Sequence, residues 1–486
     1  MASTTSALSG SQDANIFNTE LKLQVVLPGD PRYESHEASY WAVNTRLAPS
    51  CFVLPESPEQ VSAVLKELVA RKQQFAVRSG GHSPVPGTNN IADAVTIDLT
   101  LLKKVTVDSS SGTVRFGAGA RWRDVYGELS KYKRTVAGGR GGDVGVSGLL
   151  LGGGSSWMTA KNGWACDNVL SYEVALADGR IITADRDTNV DLFRALKGGS
   201  NNFGIVTSFT MPTMPSDRVW GGITASPVTA IPEAVNVMWS FTEEQAKYQD
   251  SYLMVVIGYF PDFGVNVAST AVFQGNAVSS GPEFEAWRKL PKIVDMTKET
   301  TIYDLSYDIT LPANYHDAWF TLCFKNDQRI MNKAAEVHQG LVDELKSYVP
   351  DGDFITQCIF QPVPTIVAEH SAAAGGNVMG VERNTGNAIL FQYAAMMRTA
   401  EQAAFVYPKL QAGLQIVKDF AAGIEGGLMD WLYMNYAGKT QDVLASYGPD
   451  NVDRIRRVAA KYDPDQVFQK LCPGGWKITE VGRQQQ

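Results

Sequence analysis

With 486 residues, 44% of them hydrophobic and 19% charged, the chain has the length for two to four domains and the composition of a soluble globular protein. Its formal charge of −8 is spread along the sequence without a Lys/Arg run. That excludes the electrostatic footprint of a nucleic-acid or anionic-membrane binder, so the expected partner is a neutral or weakly acidic small molecule.

In chain order, residues 1–20 are rich in Ser, Thr, Asn and Ala and lack both a basic start and a continuous apolar core. They do not read as a secretory signal, and a cytoplasmic or other intracellular protein is expected. No apolar run approaches the ~18 residues of a membrane span. Residues 57–72 predict an amphipathic helix with Ser57 as cap, Pro58 at the first position and Gln60 completing a capping box. Val61, Val64, Leu65, Leu68 and Val69 share one face of it. Phe75, Ala76 and Val77 then form a short buried strand that runs into Arg78-Ser79-Gly80-Gly81-His82-Ser83. Gly80 and Gly81 let backbone amides approach a pyrophosphate and turn through positive φ, and His82 projects from that turn. Taken alone, the motif reads more readily as a tight turn with a surface histidine.

Strands are predicted at residues 96–99, 105–107 and 113–116. Gly117-Ala118-Gly119 fails the dinucleotide pattern because Trp122 stands where the third glycine is needed. A second glycine cluster runs from Ala137 to Gly148 and on to Gly152-Gly153-Gly154. A third spans Lys197-Gly198-Gly199-Ser200-Asn201-Asn202-Phe203-Gly204-Ile205-Val206 and enters a strand at residues 207–211. Between them lie a strand at 172–176, the Asp178-Gly179 turn and a strand at 181–183. Three backbone-rich loops so close together suit a long, extended ligand with a diphosphate, touched mostly by main chain. No phosphate-binding P-loop, zinc-protease helix or serine nucleophile elbow is present. Five cysteines, Cys51, Cys166, Cys323, Cys358 and Cys472, are far apart with no C-x-x-C pair, and His36, His316, His338 and His370 are isolated, so neither a disulfide framework nor a metal site is expected.

After Pro212 and Pro215 the texture changes to longer strands, at residues 252–260, 270–274, 318–324, 354–360 and 388–397. Helices are predicted near 231–247, 327–348 and 400–423, and a last one near 451–461. The fold class is therefore α+β. One domain is expected over residues 1–217 and a second, a mixed or antiparallel sheet backed by helices, over 218–428. Residues 429–486 return to the first domain.

These motifs, in this order, together with Asn162-Gly163-Trp164-Ala165-Cys166-Asp167-Asn168-Val169, Ala177-Asp178-Gly179-Arg180, Asn435-Tyr436 and Tyr462-Asp463-Pro464-Asp465-Gln466-Val467-Phe468, resemble the FAD-linked oxidases of the berberine-bridge-enzyme type, in the vanillyl-alcohol-oxidase or PCMH superfamily. The resemblance runs from about Arg46 to Trp476. It implies a two-part FAD-binding domain with FAD joined through the ring of His82 to the flavin 8-methyl carbon. The cofactor contacts it implies are Arg78, Ser79, Gly80, Gly81, Ser83, Gly142, Asp143, Val146, Gly148, Gly153, Cys166, Asn168, Val169, Gly204, Ile205, Val206 and Asn435. Many relatives attach the flavin a second time through a cysteine before the glycine triplet. Here residues 137–148 contain none, and Gly141 or Gly142 stands near that place, so one covalent bond is expected. Cys166, downstream of the triplet, reads as a buried packing thiol.

The resemblance also implies an oxidase that passes a substrate hydride to the flavin, with oxygen as acceptor and hydrogen peroxide as product. The single link favours a small apolar natural-product intermediate over a sugar. A flavin-containing cyclase of the Diels-Alder type, a carbohydrate oxidase and a non-catalytic flavin protein remain as alternatives. Tyr436 is the candidate base; it either takes the substrate proton or packs against the flavin. A free phenol near pKa 10 needs a cationic or hydrogen-bonding helper for the first role, and the sequence does not identify one. Tyr393 is expected on a strand facing the flavin with Gln392 pointing the other way, and one of the two should line the substrate pocket. Tyr433 is a weaker candidate for the same face. Val146 lies about where relatives place a residue that controls oxygen access.

Overall fold

A computed structural model describes residues 16–482. The reading of the N-terminal segment falls largely on residues 1–15, outside the described residues. Helix Pro58–Ala70 forms as its ends dictate: Ser57 Oγ accepts from the Gln60 amide, and the Gln60 side chain accepts from the Glu56 amide. Its buried residues Val61, Val64, Leu65 and Leu68 pack into the core shared by the flanking strands. The helix connects Cys51–Leu54 to Phe75–Arg78, and both strands pair parallel with Val95–Asp98 between them. Gln24–Val26 closes the free edge antiparallel.

A second, five-stranded antiparallel sheet is ordered Val105–Asp108, Thr113–Gly117, Ile205–Pro212, Ser171–Ala175, Ile181–Asp185. One hydrophobic core spans both sheets, and residues beyond 430, including Trp431, Tyr447, Ile455 and Phe468, pack into it. The late return of the chain thus has a physical cause. Helix Pro449–Tyr462 carries an apolar face, Val452, Ile455, Val458 and Ala459, that is buried only there.

Between them, residues 219–429 build a nine-stranded sheet, antiparallel throughout. Its centre is Ser251–Tyr259, Phe354–Val363, Ala388–Met397 and His316–Lys325. Ala318, Phe320, Leu322, Phe391, Tyr393 and Ala395 face helices Ile231–Glu244, Gln328–Tyr348 and Ala400–Ala422 in a second core. By the period of two, Trp319, Gln361 and Gln392 point the other way, toward the first two sheets. The fold is α+β with helices on one face of the large sheet, and the space on its other face holds the site.

Candidate active site

Strand Phe75–Arg78 ends in the Gly80-Gly81 turn, where Gly81 has φ +68°. A Cβ on Gly80 would lie 2.5 Å from Gly145 Cα, so the first two glycine loops meet through backbone alone. The Trp41 amide donates to Gly81 O at 3.1 Å, and the Trp41 indole stacks on the His82 ring at 4.5 Å and 8°. His82 faces a cavity of about 350 Å³. Enclosure by the protein holds its imidazole down to about 4, with the Arg121 charge acting in the same direction. The ring is therefore neutral at ordinary pH and keeps a nitrogen lone pair.

One wall of the cavity is main chain and small side chains: residues 79–83, Asp143, Gly145, Gly148, Asn201 and residues 204–206. The opposite wall is the large sheet, through Met254, Trp319, Ile359, Gln361 and Gln392. The segment Tyr433 to Tyr436 closes one end. The amides of Gly154 and Ser155 donate to the Tyr433 hydroxyl at 3.1 and 2.7 Å, and Asn435 Nδ2 donates to Leu149 O at 3.1 Å. Those bonds clamp the segment to the glycine-triplet loop and leave the Tyr436 hydroxyl on the cavity wall. Arg140 Nη2 donates to it at 2.7 Å. The same guanidinium donates to Gln361 Oε1 at 2.6 Å and to the Tyr252 hydroxyl at 2.9 Å, and Tyr252 in turn donates to Gln361 at 3.2 Å. These oxygens hold the arginine in its charged form against the burial that opposes it.

Of the residues implied by sequence, Ser79, Gly80, Gly81, His82, Ser83, Asp143, Gly148, Gly204, Ile205, Val206, Asn435 and Tyr436 line this one cavity. Tyr393 does not, and its expected orientation is corrected: strand alternation sends it into the helix layer, where it meets His338 edge-on at 6.1 Å and its hydroxyl has no partner. Gln392 takes the cavity face. Val146 opens helix Val146–Leu151 with its side chain in the core, and Val144 lines the cavity instead. Arg78 lies beneath the turn, paired with Asp98 at 3.4 Å and stacked over Tyr40 at 4.1 Å. Gly142 sits away from the cavity, its amide donating to Ser306 O at 2.9 Å.

Gly153, Cys166, Asn168 and Val169 also stand behind the wall. The Cys166 amide donates to Gly153 O at 2.8 Å, Asn168 Nδ2 bonds the carbonyls of Asn162 and Trp164 at 3.0 Å each, and Val169 is in the core. Burial pushes the Cys166 thiol up, as suits a packing group. Tyr433 does line the cavity, with its hydroxyl held by the triplet amides and Asn435.

Sequence reasoning missed Arg140, Gln361, Tyr252, Trp41 and Trp319. For two of them a signal exists. Arg140 is the one cation within a run of glycines at residues 138–142, and Gln361 is a polar residue on a strand otherwise rich in apolar ones. Tyr252, Trp41 and Trp319 depend on register and on contacts far apart in sequence.

Residues 49–185 match the FAD binding domain family. Over 458 residues the chain is 37% identical to the FAD-dependent monooxygenase drtC of Aspergillus calidoustus, covering 93% of this chain and 87% of that protein. The chain is an FAD-linked oxidoreductase of the family to which drtC belongs. A second fungal relative, the FAD-dependent monooxygenase sdcF of Emericella nidulans, is 35% identical over 470 residues, 95% of this chain and 97% of that one. In fold the enzyme is similar to xylooligosaccharide oxidase from Myceliophthora thermophila, with a TM-score of 0.76 at 20% identity over 97% of this chain and 99% of that one.

Proposed function

We propose that this family member is an oxidase that removes a hydride and a proton from a small apolar natural-product intermediate, with dioxygen as final acceptor and hydrogen peroxide as product, and that it holds FAD through one covalent bond to His82. The fit to FAD rests on the backbone wall: glycine loops in contact with each other at Gly80 and Gly145, and a neutral imidazole beside them. Bound there, FAD would supply the hydride acceptor and the route by which the electron pair reaches dioxygen. The protein orients the substrate against the sheet face and removes its proton.

The observation that carries this reading is the 2.7 Å bond from Arg140 to the Tyr436 hydroxyl at the cavity wall. A guanidinium so placed stabilises negative charge on the oxygen it contacts, which suits that oxygen to take a substrate proton. Proton removal coupled to hydride loss needs no second reductant. Gln361, which accepts from Arg140 and from the Tyr436 hydroxyl, at 3.4 Å, fixes the base in place.

The reading is tested by turnover of natural-product intermediates under labelled dioxygen. It expects one hydrogen peroxide per product, no oxygen label in the product, and a rate lowered roughly 10²–10³-fold in Tyr436→Phe with flavin still bound. Label in the product would mean monooxygenation, the activity in the names of the fungal relatives drtC and sdcF, and product formed without oxygen uptake would mean a cyclase.

A further inference from the structure

We propose that Arg140 is also the anchor for an acidic oxygen of the substrate, which makes the substrate an apolar molecule bearing a phenolate, enolate or carboxylate. This deepens the preceding reading and rests on it, because the anchor lies beside the proposed base. While Tyr436 keeps the proton that it donates to Gln361, every partner of the guanidinium is uncharged: the hydroxyls of Tyr252 and Tyr436, Gln361 Oε1, and Met254 Sδ at 3.2 Å. Among the described residues no carboxylate pairs with it. Asp143, an acid of the cavity lining, is bound by Arg123.

A half-buried cation without a protein counter-ion carries a desolvation cost that neutral acceptors offset only in part. An anionic oxygen entering the cavity completes that pairing. The side chains around it, Met254, Leu311, Trp319 and Ile359, offer an apolar body nothing but contact area. Charge complementarity at one point with apolar walls elsewhere selects an amphiphilic acid over both a sugar and a plain hydrocarbon. Four of the five N–H donors of Arg140 are engaged, so an incoming oxygen takes the Nε–H or displaces the Met254 sulfur, the weakest acceptor, and Tyr436 keeps its bond.

The test uses the flavin-loaded enzyme and two probes of similar size, 2-naphthoate and the neutral 2-naphthylmethanol, titrated by calorimetry and by flavin absorbance, with the spectrum checked for flavin reduction by the alcohol. The wild type should bind the carboxylate at least tenfold tighter than the alcohol. Arg140→Met should lose that preference, and Arg140→Lys should keep part of it. Should the methionine variant fail to fold, the wild-type ratio and the lysine variant still decide. Naphthoate that binds the yellow wild type no tighter than the alcohol, or not at all, overturns the anchor and leaves the oxidase reading standing. Protein that takes up no flavin overturns the oxidase reading itself.

Discussion

The two walls of the cavity are built on opposite principles. On one side the glycine loops present main chain, and the Gly80 and Gly145 backbones approach so closely that neither position has room for a methyl group. On the other, strands of the large sheet present side chains: Met254, Trp319, Ile359, Gln361 and Gln392. Backbone is the same whatever the substrate, so the first wall suits a fixed, extended cofactor. Side chains on a rigid sheet can be exchanged without disturbing the ladder, so the second wall is where selectivity for a substrate can change. Arg140 crosses from one to the other, starting in a glycine loop and ending on Tyr252 and Gln361 of the sheet.

The sharpest way to break this contrast is to compare two tyrosines. Tyr436→Phe should cut turnover roughly 10²–10³-fold, because it removes the oxygen that Arg140 contacts at the cavity. Tyr393→Phe should leave kcat within about twofold, because its hydroxyl points into the helix layer with no partner. Removing that buried, unsatisfied group should also raise stability by about 1 kcal/mol, read from denaturant melts. A large loss of turnover in Tyr393→Phe would mean that the sheet presents its other face to the chemistry.

A smaller effect is expected from Asp317, two residues before Trp319 on the cavity-facing side of its strand. It is 6% exposed, and neither carboxylate oxygen has a hydrogen-bond partner. Burial pushes its carboxyl well above the ordinary carboxylate range. A carboxyl whose folded pKa is raised holds its proton in the native state after the unfolded chain has lost it. Its contribution is thus fully present below the unfolded value near 3.8 and is lost as pH rises toward the folded one. Asp317→Asn should therefore gain melting temperature relative to wild type progressively as pH is raised from 4 to 7. A gap that stays constant with pH would contradict the buried, neutral acid.

How much of this was legible in the sequence follows from the same contrast. Gly80, Gly81, His82 and the loop at residues 204–206 could be found because close backbone approach demands glycine in a recognisable order. The helix over residues 58–70 could be found because Ser57, Pro58 and Gln60 satisfy its first amides locally. The sheet wall could not. Residues 388–397 are buried on both faces and, apart from Gln392 and the Tyr393 hydroxyl on opposite faces, apolar, so no repeated polar alternation says which face meets the cavity. Pairing of Phe320 with Tyr393 and of Cys358 with Tyr393 sets the register, and both contacts are long-range. Val146 was misplaced for a related reason: its neighbour Gly145 ends the loop, so Val146 already begins a helix and turns its side chain inward. The contact between Arg140 and Tyr436 was hidden because the two lie 296 residues apart in sequence.

The central claim is that the neutral imidazole of His82, held against the glycine wall, carries the flavin by a single bond. Acid precipitation and intact mass of the purified enzyme, set beside His82→Ala, test it directly. The account predicts a yellow pellet and a mass gain of one FAD in the wild type, both absent from the variant. Flavin released to the supernatant by the wild type, or retained in the pellet by His82→Ala, would contradict it.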